Sequence, residues 1–171
     1  GKTNILEALY VCATSRSHKG SKDREMIRMG SDEAHIKLNV KKNGLPYRID
    51  MHLKKNKSKG IAVNGIPIKR AVELFGILNI VCFSPEDLSI IKNGPAERRR
   101  FMDMELSQLD KIYLSNLINY NKVVNQRNKL LKELSFKSSE EKLETLDIWD
   151  LQLVKYGTEV MKRRVGFVQE L

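Results

Sequence analysis

The chain has 171 residues, enough for one domain or for one domain and part of a second. Its 31 Lys and Arg against 21 Asp and Glu give a net charge of +10, which favours a polyanionic partner such as nucleic acid. No apolar stretch could cross a bilayer, and Cys12 and Cys82 lack disulfide or metal-ligand spacing. We therefore expect a soluble cytoplasmic protein with two buried free thiols and no metal site formed by cysteines.

The first predicted element is a helix that begins with the first residues of the chain. Apolar residues recur with a period close to 3.6 and form one stripe, at Ile5, Leu6, Leu9, Tyr10 and Ala13. Residues 15–22 are Ser, Gly and basic residues and predict a surface loop. The sequence starts with Gly1 and ends inside a helical pattern, so we expect a piece cut from a longer protein.

Residues 33–53 predict an antiparallel hairpin, because two alternating segments flank the turn Asn43-Gly44. A short strand at 61–63 and a tight turn at Asn64-Gly65 follow, and then a short helix is predicted over 66–75.

A continuous apolar run at 78–83 is typical of a strand buried on both faces. Ser84-Pro85-Glu86-Asp87 carries a cap residue, a proline and acids, which favour the start of a short helix to Lys92. Beyond Gly94 the pattern is helical at 98–106, 113–134 and 143–171, so the predicted domains are 1–93 and 94–171.

Gly1-Lys2-Thr3 at the head of a helix matches the end of the phosphate-binding loop G-x-x-x-x-G-K-[ST]. In that loop, backbone N–H groups and the helix dipole hold phosphates, the lysine reaches the β and γ oxygens, and the Thr hydroxyl ligates Mg²⁺. Three residues alone also occur by chance, so an accidental match stays open.

Further segments, in the same order as in a known family, make the likeness specific. Residues 1–10 (GKTNILEALY), 13–18 (ATSRSH), 81–88 (VCFSPEDL), 91–103 (IKNGPAERRRFMD) and 120–128 (YNKVVNQRN) resemble the RecF family of DNA repair ATPases. That resemblance implies an α/β fold: a partial ABC/SMC-type ATPase head lobe over 1–93, with a mostly antiparallel sheet plus helices, and then an incomplete α-helical arm domain over 94–171.

The resemblance also implies ATP and Mg²⁺ as cofactors, with Gly1, Lys2, Thr3 and Asn4 at the nucleotide and Thr3 on Mg²⁺. It implies an ATP-dependent homodimer that engages DNA at single-strand/double-strand junctions and acts with RecR and RecO to load recombinase at gaps. The intact protein would be a weak DNA-dependent ATPase. We expect no hydrolysis by this chain alone, because the signature segment and the Walker B acids are not in it. Where related SMC heads have a Gln, this chain has Ser84-Pro85-Glu86; Glu86 or Asp87 either substitutes for it or caps a helix.

Two groups of basic residues are candidate DNA contacts: Arg16, His18 and Lys19 after the first helix, and Lys54, Lys55, Lys57 and Lys59. The first 59 residues hold 14 Lys and Arg against 6 Asp and Glu, which favours a phosphate-binding face. A solvated basic loop and a charged strand edge remain the structural alternatives.

Two other functions remain open from the sequence. One is a different SMC/ABC-type head ATPase of chromosome maintenance. The other is a non-enzymatic basic DNA-binding module.

Overall fold

The computed structural model of the protein describes residues 1–83, 89–136 and 140–170. The chain divides into two compact units, Gly1–Arg98 and the part from Arg99 onward. The assignment of 1–93 and 94–171 to two functional domains stays a prediction.

Helix α1, Lys2–Thr14, begins where the sequence predicted. Ser15 ends it in the left-handed conformation (φ 59°), and its N–H donates to the Val11 carbonyl at 2.7 Å. Only the carboxyl-terminal part of α1 is buried, whereas Ile5 and Leu6 are 65% and 55% exposed. The predicted helix is confirmed, and its apolar stripe is buried only towards the carboxyl end, because helical spacing tells which residues share a face but not how far along the helix that face is covered.

Four antiparallel strands follow in the order in which they occur along the chain: β1 Glu33–Lys42, β2 Leu45–Lys54, β3 Lys57–Val63 and β4 Ile66–Pro67. The predicted hairpin is confirmed. Both Asn-Gly pairs make two-residue turns with positive φ at each position, 50° and 82° at Asn43 and Gly44, and 51° and 82° at Asn64 and Gly65. Such turns require residues that tolerate positive φ, and this explains why the sequence located them correctly.

The sheet packs its inner face on α1. Val11 and Cys12 of the helix and Ile49, Met51 and Leu74 form one buried cluster. Alternate residues of β1 and β2 face this cluster, and the residues between them point outward. The antiparallel register thus decides which polar residues share the outer face.

Two predictions for the end of this unit are wrong. Residues 66–75 form the short strand β4 and a single 3₁₀ turn, Ala71–Leu74, not a helix. Residues 78–83 form no strand, and Val81 and Phe83 are 85% and 84% exposed. A strand buried on both faces needs neighbours to pair with it, and none of the described strands pairs with this run.

The predicted helix start at 84–87, with Glu86 and Asp87, lies outside the described residues. The structure describes helix α2 at Ser89–Lys92. Cys12 and Cys82 are both free; Cys12 is buried as predicted, but Cys82 is only half-buried, because it lies in the apolar run that forms no strand.

The remaining helices are α3 Pro95–Leu109, α4 Lys111–Phe136 and α5 Glu140–Glu170, which confirms the predicted helical pattern with longer helices. The Asp110 carboxylate accepts hydrogen bonds from the N–H groups of Ile112 and Tyr113 and so caps α4. Leu106, Tyr113 and Val160 form the core where these helices meet. Within the described residues no helix has both the length and the apolar character that a membrane span requires.

Candidate functional site

The amino end of α1 is an exposed positive helix terminus. Gly1 is the cap residue without a side-chain hydrogen bond, and no acid lies in the first turn. Lys2, Thr3 and Asn4 are all exposed. The first N–H groups of a helix lack partners within it and carry the positive end of its dipole, so this end suits an anion. The N–H of Asn4 donates to the Gly1 carbonyl at 3.2 Å, and the N–H groups before it in the first turn remain for a ligand. A lysine, a hydroxyl and these N–H groups fit a phosphate ester with a bound Mg²⁺.

The loop after α1 folds back along the helix and is anchored on one carboxylate. The Ser17 hydroxyl donates to Glu7 Oε1 at 2.5 Å, and Lys19 Nζ lies 3.3 Å from Glu7 Oε2. Burial alone would raise the pKa of Glu7, but the hydrogen bonds from Ser17 and Lys19 outweigh it and lower the pKa. Glu7 therefore holds the loop as an anion.

Arg16 and His18 occupy different environments within this loop. Arg16 is exposed, whereas His18 is half-buried against the edge of Tyr10, with ring centroids 5.6 Å apart. The Nδ1 atom of His18 is buried and has no hydrogen-bond partner within the described chain. Arg16 is the freer of the two to meet a ligand.

The two ends of α1 present separate surfaces. From Lys2 to Thr14 the helix axis runs about 18 Å at 1.5 Å per residue. A nucleotide phosphate at Lys2 therefore lies beyond the direct reach of Arg16, and the structure does not bring these two predicted groups into one site.

Lys59 belongs to the structural framework of this unit. Its Nζ lies 2.8 Å from Asp23 Oδ1 and donates to the Ser15 carbonyl at 2.5 Å, and its side chain is only 19% exposed. Through these contacts Lys59 links β3 to the end of α1. Of the four lysines predicted at 54–59, it is the least available to DNA.

The other lysines of the group lie around the turn between β2 and β3, where Lys54 is registered opposite Lys57. Lys54 pairs with Glu33 at 3.4 Å, and Lys55 pairs with Asp32 at 3.2 Å. Lys57 is exposed and, among the residues that the structure describes, has no carboxylate within salt-bridge distance. Part of the excess positive charge is thus neutralised locally, since four of the six acids in 1–59 pair with candidate lysines.

Sequence reasoning missed these anchoring acids: Glu7, Asp23, Asp32 and Glu33. Their lysine partners are 12 to 36 residues away along the chain, and no local pattern reports a contact of that separation. The alternation of β1 and β2 was the single available signal, because it places Glu33 on the outer face.

Comparison with known proteins reveals relatives along the whole chain, although no family profile matches it. The chain is 74% identical over 171 residues to the DNA replication and repair protein RecF of Lachnospira eligens and 62% identical to that of Lachnoclostridium phytofermentans. It is 45% identical to the protein of the same name from Clostridium perfringens. Each alignment covers 100% of this chain and 46–47% of the relative, so the chain spans about half the length of the curated relatives it matches.

Two solved structures resemble the fold. The structure of the recombination mediator protein RecF-ATP in the RecFOR pathway matches with a TM-score of 0.91 at 36% identity and covers 99% of this chain and 45% of that one. The RecF-ATPrS structure of the same pathway matches with a TM-score of 0.86 at 35% identity and covers 98% and 45%. The four-stranded antiparallel sheet with its helices is therefore part of an ABC/SMC-type ATPase head.

The order of sequence motifs, the fold and the relatives agree over all 171 residues. The chain belongs to the RecF family.

Proposed function

We propose that this chain binds ATP at the amino end of α1 through Gly1, Lys2, Thr3 and Asn4. The observation that carries the proposal is an exposed, unneutralised Gly-Lys-Thr helix start in a chain whose fold matches a RecF structure solved with ATP. Chance matches to Gly-Lys-Thr have no reason to fall at a helix start free of acids.

Each residue has a distinct role in this proposal. The Lys2 ammonium neutralises the terminal phosphates, the N–H groups of the first turn donate to phosphate oxygens, and the Thr3 hydroxyl ligates Mg²⁺. Bound MgATP would supply the charge that draws two heads together.

The experiment compares two lysine variants of the intact protein. Lys2→Ala is expected to weaken binding of a fluorescent ATP analogue at least about 100-fold, since charge-assisted contacts to phosphate are worth several kcal/mol together. Lys41→Ala, an exposed lysine on the outer face of β1, removes the same charge and is the matched control. Equal affinity of the Lys2→Ala variant and the unaltered protein would refute the proposal.

The Thr3→Ala variant tests Mg²⁺ binding separately from nucleotide binding. We expect the variant to retain ATP in the absence of Mg²⁺ and to lose the gain in affinity that Mg²⁺ gives. A gain equal to that of the unaltered protein would remove Thr3 from the metal site.

The same proposal assigns DNA contact to the exposed cations near the sheet turn and after α1. Arg16 and Lys57 are the two without a local carboxylate partner in the described chain, so they can engage phosphate without breaking an ion pair. Lys19, Lys54 and Lys55 contribute by leaving their carboxylate partners for a DNA phosphate. His18 and Lys59 contribute least.

In the cell, this activity would serve recombinational repair and replication restart in the cytoplasm. ATP-dependent homodimerisation, action with RecR and RecO at single-strand/double-strand junctions and loading of recombinase at gaps complete the proposal. Light scattering tests its first step: ATP should double the mass of the unaltered protein and leave the Lys2→Ala variant monomeric. A Lys2→Ala variant that dimerises with ATP would contradict it.

A further inference from the structure

The outer face of the β1–β2 hairpin holds two histidines and a glutamate in one cluster. Glu33 and His35 are two residues apart on β1 and point to the same side. The register places His52 of β2 opposite His35 and Lys54 opposite Glu33. The cluster lies on a different face of the sheet from the core and contains none of the residues assigned to ATP or DNA, although Lys54 borders it.

The ligand atoms of the three side chains already lie close to one another. One ligand atom of each of Glu33, His35 and His52 lies within 4.8 Å of the other two. His52 Nε2 is 2.9 Å from one Glu33 oxygen, and His35 Nε2 is 3.9 Å from the other.

We propose that Glu33, His35 and His52 form a binding site for a divalent transition metal such as Zn²⁺. Two imidazole nitrogens and one carboxylate oxygen are ligands that Zn²⁺ accepts, at bond lengths of about 2.0–2.2 Å. Tetrahedral ligands at that distance lie about 3.4 Å apart, so the observed separations need to change by about an ångström.

This change requires rotation of the side chains. The two rings stack with centroids 3.9 Å apart and planes inclined by 25°, whereas a metal must lie near the plane of each imidazole that binds it. Metal binding therefore requires the two rings to turn away from each other. The strands themselves stay in register, because ten paired positions hold β1 against β2.

The site is open on the side of β3. Gly60 is registered opposite His52 and has no side chain, so water can complete the coordination of the metal there. Lys54 Nζ lies 3.4 Å from Glu33 Oε2 and competes with a cation for the carboxylate. Because of this competition, we expect the site to bind zinc with modest affinity, which Lys54 lowers.

The test is zinc binding by the intact protein without a polyhistidine tag or nucleotide, measured by competition with a chromophoric chelator. We expect one Zn²⁺ per chain. His35→Gln, His52→Gln and Glu33→Gln should each weaken binding at least about 10-fold. The matched control is His18→Gln, which changes the third histidine of the chain and should leave zinc affinity unaltered.

The Lys54→Gln variant should change zinc affinity in the opposite direction. Removing the competing ammonium should strengthen zinc binding about two- to five-fold, the worth of an exposed ion pair. The inference would be overturned if the His35→Gln and His52→Gln variants bound zinc as well as the unaltered protein, or if the unaltered protein bound no zinc at about 100 µM metal. Lys2→Ala should retain zinc, so that failure of the ATP site and failure of this site remain distinguishable.

Discussion

Arg164 and Asp103 are 61 residues apart in the chain and form a two-pronged ion pair in the helical unit. Arg164 Nε donates to Asp103 Oδ1 at 2.9 Å, and Nη2 donates to Oδ2 at 2.8 Å. Their side chains are 18% and 23% exposed. The Tyr113 hydroxyl also donates to Asp103, and burial followed by this hydrogen bond raises the pKa of Tyr113. These contacts connect α3, α4 and α5.

Arg164→Ala should lower the free energy of unfolding by about 2–3 kcal/mol, because it leaves a half-buried carboxylate without its cation. Urea unfolding followed by circular dichroism measures the change. Lys162→Ala is the control, since its pair with Glu159 at 3.1 Å is 69% and 53% exposed and should cost less than about 0.5 kcal/mol. Equal losses in the two variants would show that the Arg164 pair is not structural.

Glu7→Gln should loosen the loop after α1. It weakens the bonds from Ser17 and Lys19 and should cost about 1 kcal/mol at neutral pH. Because the pKa of Glu7 is lowered in the folded protein, its stabilisation is complete above the unfolded value of 4.5 and is lost as the pH falls through the lower folded value.

The difference in unfolding free energy between the unaltered protein and the Glu7→Gln variant should therefore shrink in acid. Urea titrations from pH 7 to about pH 3 follow it. The exposed Glu159→Gln change serves as the control and should cost little throughout. A Glu7→Gln difference that grew in acid would contradict the role of the ionised carboxylate.

Cys12 and Cys82 should differ in reactivity towards iodoacetamide. Burial raises the pKa of the Cys12 thiol to about 11, so the native protein presents almost no Cys12 thiolate at pH 8. Cys82 is half-buried and reachable. Mass spectrometry should find alkyl groups on Cys82 first and on Cys12 only after unfolding, and early labelling of Cys12 would disprove its burial in solution.

Lys57 and Lys59 should respond differently when DNA binding is measured across a salt series. Lys57→Ala should reduce the salt dependence by about one unit and leave stability unchanged, because that lysine is exposed. Lys59→Ala should instead destabilise the protein, because Asp23 and the Ser15 carbonyl lose a half-buried donor. An unchanged salt slope for Lys57→Ala would mean that this lysine does not touch DNA phosphate.

The sequence by itself determined the features that depend on neighbours in the chain. The start of α1 at Gly-Lys-Thr, the Asn-Gly turns and the register of the hairpin each follow from local backbone preference and side-chain alternation. The long helices follow from their period. Charge counting indicated an excess of cations but could not tell which of them were already paired.

Only the tertiary structure decided the contacts between distant segments. It placed Lys59 on Asp23, anchored the loop of Ser17 and Lys19 on Glu7, and kept residues 78–83 out of the described four-stranded sheet. It also brought His52 beside Glu33, which lies 19 residues earlier. The physical reason is that an ion pair, a metal site or a buried strand needs a partner whose position depends on the packing of the whole unit, whereas a turn or a helix start needs only the residues next to it.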